Sequence, residues 1–223
     1  MQFQEDYIYH IFNQGNNRQR IFFKRDNYIY FLGKIKEYIL PYADVLAWCL
    51  MPNHFHLMVH VRAVDVAVGK GFASTGERGG FALDREGFAS SETLSHPAPG
   101  ETLPKKTRTL NHSVGIMLRS YTNAINKQEK RSGSLFRKQT KAECVNCSQG
   151  LSPSFINTKT GTLLAVPHME YQQVCFDYIH NNPVKAGLVN SQTDWEFSSA
   201  KDYAGLRNGS IIRKEITNKF IYF

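Results

Sequence analysis

Two histidines, His54 and His56, combine a residue type and a spacing that suit metal chemistry. They lie in the apolar run from Leu50 to Val59, which predicts a β-strand. Alternate side chains of a strand share a face, so both imidazoles should point the same way while Phe55 points into the core. Two convergent imidazoles suit a divalent metal ion. The alternative is a pair of histidines that are merely hydrogen-bonded on a half-buried strand.

A second segment, Asp177 to Pro183, offers the other groups that such a site would need. In a helix, residues four apart lie one turn apart on the same face, so Tyr178 and Asn182 could reach the same small volume. A divalent ion held by two imidazoles and one amide oxygen would polarise a phosphodiester and neutralise its developing charge. Such a ligand set suits Mn²⁺ and tolerates Mg²⁺. The predicted reaction is transesterification through a covalent phosphotyrosine.

Each of these residues has a structural alternative or a rival. The ring of Tyr178 could simply pack under the sheet. Tyr121 is the rival nucleophile, but it carries the periodicity of a core residue. Asn181 competes with Asn182, and either amide could instead cap the end of the helix.

Two further histidines are expected to lie outside the metal site. His180 points off the Tyr178 face of the predicted helix and is expected at the surface. His60 shares the strand parity of the histidine pair but should lie roughly 13 Å from His56, too far for the same ion.

Composition and charge favour a single domain, residues 1–223, that binds a polyanion. The chain has 223 residues with 42% hydrophobic content, enough for one good core. Its formal net charge is +8 and its pI is about 9.3, which attracts nucleic acid. No apolar stretch long enough for a membrane span and no export signal are present, so we expect a cytoplasmic protein.

Cysteine usage predicts free thiols. Cys49, Cys144, Cys147 and Cys175 would stay reduced in the expected compartment. Cys144 and Cys147 have the spacing of half a zinc site, but no second Cys or His pair follows at a convincing distance. Structural zinc is therefore not expected.

Periodicity predicts the elements that must position these groups. We expect strands at 7–13, 42–50, 55–61 and 134–145, and helices at 26–40, 109–128 and 169–181. Asp26 should cap the first helix, and Pro183 should end the last. The order β, α, β, β, α, β, α predicts an α+β fold with a mostly antiparallel sheet and helices on one face. Residues 65–106 and 146–168 show neither the helical nor the strand period, and we interpret both segments as inserts.

Several segments together resemble a known family. They are the histidine motif at 54–56, DYIHNNPVKAGLV at 177–189, WEFSSA at 195–200, YHIFNQGNNRQRIF at 9–22 and RSGSLF at 131–136. In combination they look like the single-tyrosine HUH transposases, in particular the REP-associated tyrosine transposase branch. The resemblance covers most of the chain except the two inserts.

This resemblance implies a ferredoxin-like sheet, with His54, His56 and Asn182 as ligands of Mg²⁺ or Mn²⁺ and Tyr178 as the nucleophile. Similar proteins cut single-stranded DNA beside a hairpin, leave the 5′ phosphate on tyrosine and release a 3′ hydroxyl. They work as monomers or as homodimers. Because the inserts depart from the family pattern, a catalytically silent protein that only binds DNA hairpins is the alternative. A metallohydrolase with a water nucleophile is a third hypothesis.

Clustered basic residues beside strands and turns are expected to contact DNA phosphates. Such contacts position the backbone and weaken with salt. The alternative for any one of them is solvated surface charge. The candidates are Arg18, Arg20, Lys127, Lys130, Arg131, Arg137, Lys138 and Lys185.

Overall fold

A computed structural model of the chain describes residues 1–67, 107–147 and 168–223. Its strands are β1 Ile8–Gln14, β2 Ala43–Met51, β3 His54–Val61, β4 Asp65–Ala67, β5 Thr107–Thr109 and β6 Lys141–Cys144. Its α-helices are α1 Arg25–Tyr38, α2 Leu110–Gln128, α3 His168–Lys185, α4 Ala200–Tyr203 and α5 Lys214–Thr217. In these described ranges no helix is both long and apolar enough to cross a membrane.

The main sheet has the strand order β2-β3-β1-β6, and every neighbouring pair is antiparallel. Helix α1 connects β1 to β2 across β3, and α2 connects β3 to β6 across β1. Two crossovers that each skip one strand are the split βαβ arrangement of ferredoxin-like folds. The predicted α+β class with an antiparallel sheet is therefore confirmed.

Both faces of the sheet are covered, so the prediction of helices on one face is wrong. Phe55 and Leu57 of β3 join the core that α1 and α2 cover. Met58 instead joins a second cluster with Phe176 and Ile179 of α3. Strand β2 is buried at every position, and a continuous apolar run of this kind is typical of a strand covered on both faces.

Helix α3 continues past Pro183 to Lys185, so the predicted stop before the proline is wrong. Proline cannot donate to the Ile179 carbonyl, but near the end of a helix this removes only one hydrogen bond. Ile179, His180 and Pro183 are all buried. Their burial compensates for the lost bond and keeps the last turn helical.

His180 is also buried, with 3% of its surface exposed, which corrects the expectation of a surface position. Its Nε2 lies 2.7 Å from Ser199 Oγ. The same hydroxyl accepts a hydrogen bond from the Trp48 amide of β2 at 2.9 Å. Segment 195–200 runs beside β2, with an antiparallel bridge between Ser198 and Cys49, and His180 joins α3 to that segment.

Several predicted boundaries shift. Helix α1 is preceded by Lys24 rather than capped by Asp26, because Asn27 Oδ1 accepts from the Phe23 and Lys24 amides. The strand predicted at 134–145 shortens to β6, and Phe136 contributes only an isolated bridge to Gly15.

The two predicted inserts are partly outside the described residues. Residues 65–67 belong to the fold, since β4 pairs with β5 and joins Asp65 to Thr109. Asn146 belongs to it as well, because its Oδ1 accepts from the Ile8 amide at 2.8 Å. Residues 68–106 and 148–167 lie outside the described part.

A disulfide joins Cys144 and Cys147, so the prediction of free thiols is wrong for this pair. The turn that ends β6 brings their Cα atoms to 5.7 Å, within the usual range for a bridge. The prediction of free thiols rested on the expected reducing compartment and did not take this local geometry into account. Cys49 and Cys175 are free and buried, as predicted.

Candidate active site

His54 and His56 lie at the beginning of β3 on the face that α3 covers. Their ring centroids are 4.9 Å apart and the ring planes cross at 86°. His54 Nδ1 lies 2.6 Å from Asn53 Oδ1. Because that oxygen can only accept, the His54 proton resides on Nδ1 and its Nε2 lone pair is available to a ligand.

His10 of β1 is the partner of His56, and the sequence analysis missed it. His10 Nε2 lies 2.9 Å from His56 Nδ1. Burial lowers the pKa of His10 to about 3. Burial, with smaller effects of His10 and His54, lowers the pKa of His56 well below its ordinary value. Both rings are therefore neutral at physiological pH.

The other ring nitrogen of His56, Nε2, is buried and has no hydrogen-bond partner among the described residues. A buried polar nitrogen without a partner is costly unless something binds its lone pair. This nitrogen is thus a candidate metal ligand in its own right.

Helix α3 brings Tyr178 against the same histidines. Its ring meets the His56 ring at a centroid distance of 5.5 Å and the His10 ring at 6.1 Å, edge to face in both cases. Burial raises the pKa of the Tyr178 phenol, and a hydrogen bond with Asn182 lowers it in part. Lys185 Nζ lies 5.4 Å from the centre of the phenol ring.

Asn182 lies between Tyr178 and His54. Its Nδ2 donates to the Tyr178 carbonyl at 2.9 Å. Burial lowers the pKa of His54, and a hydrogen bond with the Asn182 side chain opposes that shift. Asn182, rather than Asn181, therefore has the contacts expected of the predicted third ligand.

The donor set fits a divalent ion. It offers the Nε2 lone pairs of His54 and His56 and the amide oxygen of Asn182, a mixture that suits Mn²⁺ and accepts Mg²⁺. Within residues 1–67, 107–147 and 168–223, no group of three or more His, Cys, Asp or Glu side chains could hold a metal. The proposed donors are two imidazoles and one amide, so all three are neutral.

A cavity of about 280 Å³ opens in front of these groups. Besides the histidines and Tyr178, its walls carry polar and basic side chains suited to an anion. Its lining residues are Phe12, Asn13, Gln14, His54, His56, Arg137, Gln139, Lys141 and Tyr178. Of these basic residues Arg137 was predicted, whereas Lys141 was missed because it lies on β6, whose register with β1 decides which face it occupies.

Part of the predicted basic set gathers beside this cavity. Gln19 accepts from Arg131 at 2.8 Å and donates to the Leu135 carbonyl at 2.9 Å, so the loops 15–20 and 131–137 pack together. The Arg137 amide donates to the Gln14 carbonyl at 2.9 Å, which directs Arg137 to the cavity. Arg18 and Arg20 are exposed on the first loop.

The close packing of these loops requires glycine at position 15. A Cβ atom there would collide with the Gln19 carbonyl oxygen. The Gly15 amide also donates to the Asn53 carbonyl at 2.8 Å, next to the histidine pair. The basic loop is thereby held against the turn that precedes His54.

The remaining basic candidates are more dispersed. Lys127 and Lys130 are exposed at the carboxyl end of α2. Lys138 lines a separate cavity between α2 and β6, away from the histidines. Lys185 lies over Tyr178. The structure therefore places Arg137 and Lys185 at the candidate site, and Arg18, Arg20 and Arg131 on the loops beside it.

Comparisons with known proteins give one match, to a solved structure. No family model matches the chain, and no curated protein matches it. Among solved structures, the chain is similar to a REP-associated tyrosine transposase bound to a REP hairpin. That similarity covers 96% of this chain and 94% of the other, with 12% sequence identity and a TM-score of 0.48.

Proposed function

We propose that this protein is a metal-dependent endonuclease and strand transferase of single-stranded DNA, acting at hairpins through a covalent 5′-phosphotyrosine. The observation that carries the proposal is the contact between Tyr178 and His56, with Asn182 beside both Tyr178 and His54. The Tyr178 phenol and both imidazoles then line one basic cavity. The hairpin as substrate comes from the sequence motifs that resemble REP-associated tyrosine transposases.

Tyr178 is the nucleophile in this proposal. Its phenol oxygen forms a bond to phosphorus while the bond from phosphorus to the 3′ oxygen breaks. The phenol proton passes to solvent, and the departing 3′ oxygen takes up a proton to become a hydroxyl. A divalent ion held by His54, His56 and Asn182 would supply charge neutralisation at the phosphate. The reverse attack by a 3′ hydroxyl on the phosphotyrosine joins strands and frees the tyrosine.

The surroundings of the Tyr178 phenol disfavour its ionised form. Burial raises the pKa of Tyr178, so the neutral phenol dominates at physiological pH. A positive charge near a phenol favours its ionised form, and the Lys185 ammonium lies close to the ring. Lys185 therefore acts at the nucleophile, in addition to contacting DNA phosphate.

The backbone of the DNA would follow the basic side chains around the cavity. Arg137 and Lys141 line its wall, and the loop with Arg18 and Arg20 continues from there. Arg and Lys contacts to phosphate fix the register of a strand without reading its bases.

The test is adduct formation with a hairpin-bearing single strand in the presence of Mn²⁺ or Mg²⁺. We expect a species on a denaturing gel that migrates as protein joined to DNA and that disappears on chelation or in Tyr178→Phe. Tyr222→Phe is the matched control, since Tyr222 is 83% exposed and does not line the cavity.

Three outcomes would reject the proposal. An adduct that persists in Tyr178→Phe would assign the nucleophile elsewhere. Tight hairpin binding without any adduct or cleavage product, unaffected by chelation, would instead identify a catalytically silent binding protein. Cleavage without an adduct would favour a water nucleophile.

A further inference from the structure

The contact between His10 and His56 differs from the contact that orients His54. Asn53 Oδ1 can only accept a proton from His54, and its own Nδ2 donates to the Arg18 carbonyl. That contact allows a single His54 tautomer. The partner of His56 is another imidazole, whose nitrogen can either donate or accept.

Two ring nitrogens 2.9 Å apart share one proton between them. In the first arrangement His56 donates from Nδ1 and His10 Nε2 accepts, which leaves the lone pair on His56 Nε2. In the second arrangement His10 donates, so the His56 proton moves to Nε2. A proton on Nε2 would occupy the position that the proposed ion needs, so only the first arrangement lets His56 act as a metal ligand.

His10 does not itself complete a three-histidine site. Its Nε2 is directed at the His56 ring, and the two rings lie nearly parallel with centroids 5.0 Å apart. The described residues contain no group of three metal-binding His, Cys, Asp or Glu side chains. His10 therefore acts through His56 rather than on an ion.

We propose that His10 is a positioning residue that holds His56 as its Nδ1–H tautomer, so that the Nε2 lone pair is available to the metal. The inference rests on the proposed metal site and extends it to a residue on a different strand. Hydrogen-bond partners of this kind orient metal-binding histidines, and their loss typically weakens metal binding by about 10–100-fold.

The first measurement is the tautomer of His56 in the metal-free protein, read from ¹⁵N–¹H long-range NMR couplings of the imidazoles. We expect the proton on Nδ1 in the unmutated protein. A proton on Nε2 would overturn the inference, whether or not the protein binds metal.

The second measurement is Mn²⁺ affinity by calorimetry in three variants. His10→Leu removes the acceptor and should weaken binding at least about tenfold. In His10→Gln, the Oε1 atom can take the position of the imidazole Nε2 and accept the same hydrogen bond. The Mn²⁺ affinity should then stay within about threefold of the unmutated protein, a smaller change than the loss expected for a missing partner. His60→Leu removes another histidine from β3, the strand that carries His56. Because His60 does not line the cavity, this variant should leave the Mn²⁺ affinity unchanged.

The outcomes separate this inference from the proposed function. Equal Mn²⁺ affinity in His10→Leu and the unmutated protein, with both folded by circular dichroism, would overturn the positioning role. Loss in His10→Gln as large as in His10→Leu would overturn it as well. If the unmutated protein binds no Mn²⁺, the proposed metal site fails, and the His56 tautomer alone decides the inference.

Discussion

The rings of Tyr178 and His56 meet edge to face, with centroids 5.5 Å apart and planes at 84°. The two residues come from α3 and β3, which are separated along the chain by α2, β6 and both predicted inserts. Their contact depends on α3 covering the face of the sheet that presents the even-numbered side chains of β3. The proposed nucleophile and a proposed metal ligand are therefore neighbours in the folded chain.

Metal binding and DNA binding should reinforce each other. His54, His56 and Asn182 are neutral donors, so they leave the double charge of an ion uncompensated, and a DNA phosphate would supply the missing negative charge. We expect Mn²⁺ to bind at least about fivefold more tightly with an uncleavable phosphorothioate hairpin present, and the hairpin to bind more tightly by the same factor with Mn²⁺. Calorimetric titration in both orders measures this. Equal affinities with and without the partner would contradict the coupling.

Replacing Arg137 with alanine should weaken the binding of single-stranded DNA. It should also make that binding less dependent on salt concentration. Arg137 is exposed at the wall of the cavity, and each lost phosphate contact reduces the slope of log affinity against log salt by about 0.7. Fluorescence anisotropy at several salt concentrations gives this slope. Lys219→Ala removes the same charge from an exposed position outside the cavity and should leave the slope unchanged.

Replacing Ser199 with alanine should destabilise the fold and loosen α3. The variant removes the hydroxyl that contacts His180 and the Trp48 backbone. Leaving buried polar groups without a partner costs about 1–3 kcal/mol. Chemical denaturation measures the loss, and hydrogen exchange should show it concentrated in α3. Ser191→Ala, at an exposed serine, is the control. Uniform exchange across α1 and α3 would contradict the anchoring role.

The protein should lose stability at alkaline pH through its buried tyrosines. Burial raises the pKa of Tyr28 to about 12 from its ordinary value of 10.0. A pKa raised by folding contributes stability that is complete below pH 10 and is lost as the pH rises toward 12. The melting temperature should therefore fall above about pH 10 in the unmutated protein and less steeply in Tyr28→Phe. Parallel curves for the two proteins would contradict the assignment.

The strand alternation of β3 was enough to predict the histidine pair, because a period of two fixes which side chains share a face. Helical spacing likewise predicted that Tyr178 and Asn182 would lie together. His10 could not be predicted, since its contact with His56 depends on the register of β1 against β3. Single-sequence periodicity contains no information on that register.

The errors in α3 have a related cause. The burial of His180 depends on segment 195–200, which follows the helix in sequence, pairs with β2 and contacts His180 through Ser199. Pro183 indicated a helix end from local geometry, but the packing of its neighbours outweighed the local preference. The Cys144–Cys147 disulfide depends on a turn whose shape the spacing alone does not give.

The pairing of β4 with β5 also bears on how this chain can change over evolutionary time. Ala67 lies opposite Thr107, so the two residues that flank positions 68–106 are held side by side. The entropic cost of closing a flexible loop rises by only about 0.6 kcal/mol for each doubling of the loop length. The β4–β5 pairing therefore places only a weak limit on how many residues an evolving sequence can carry between positions 67 and 107.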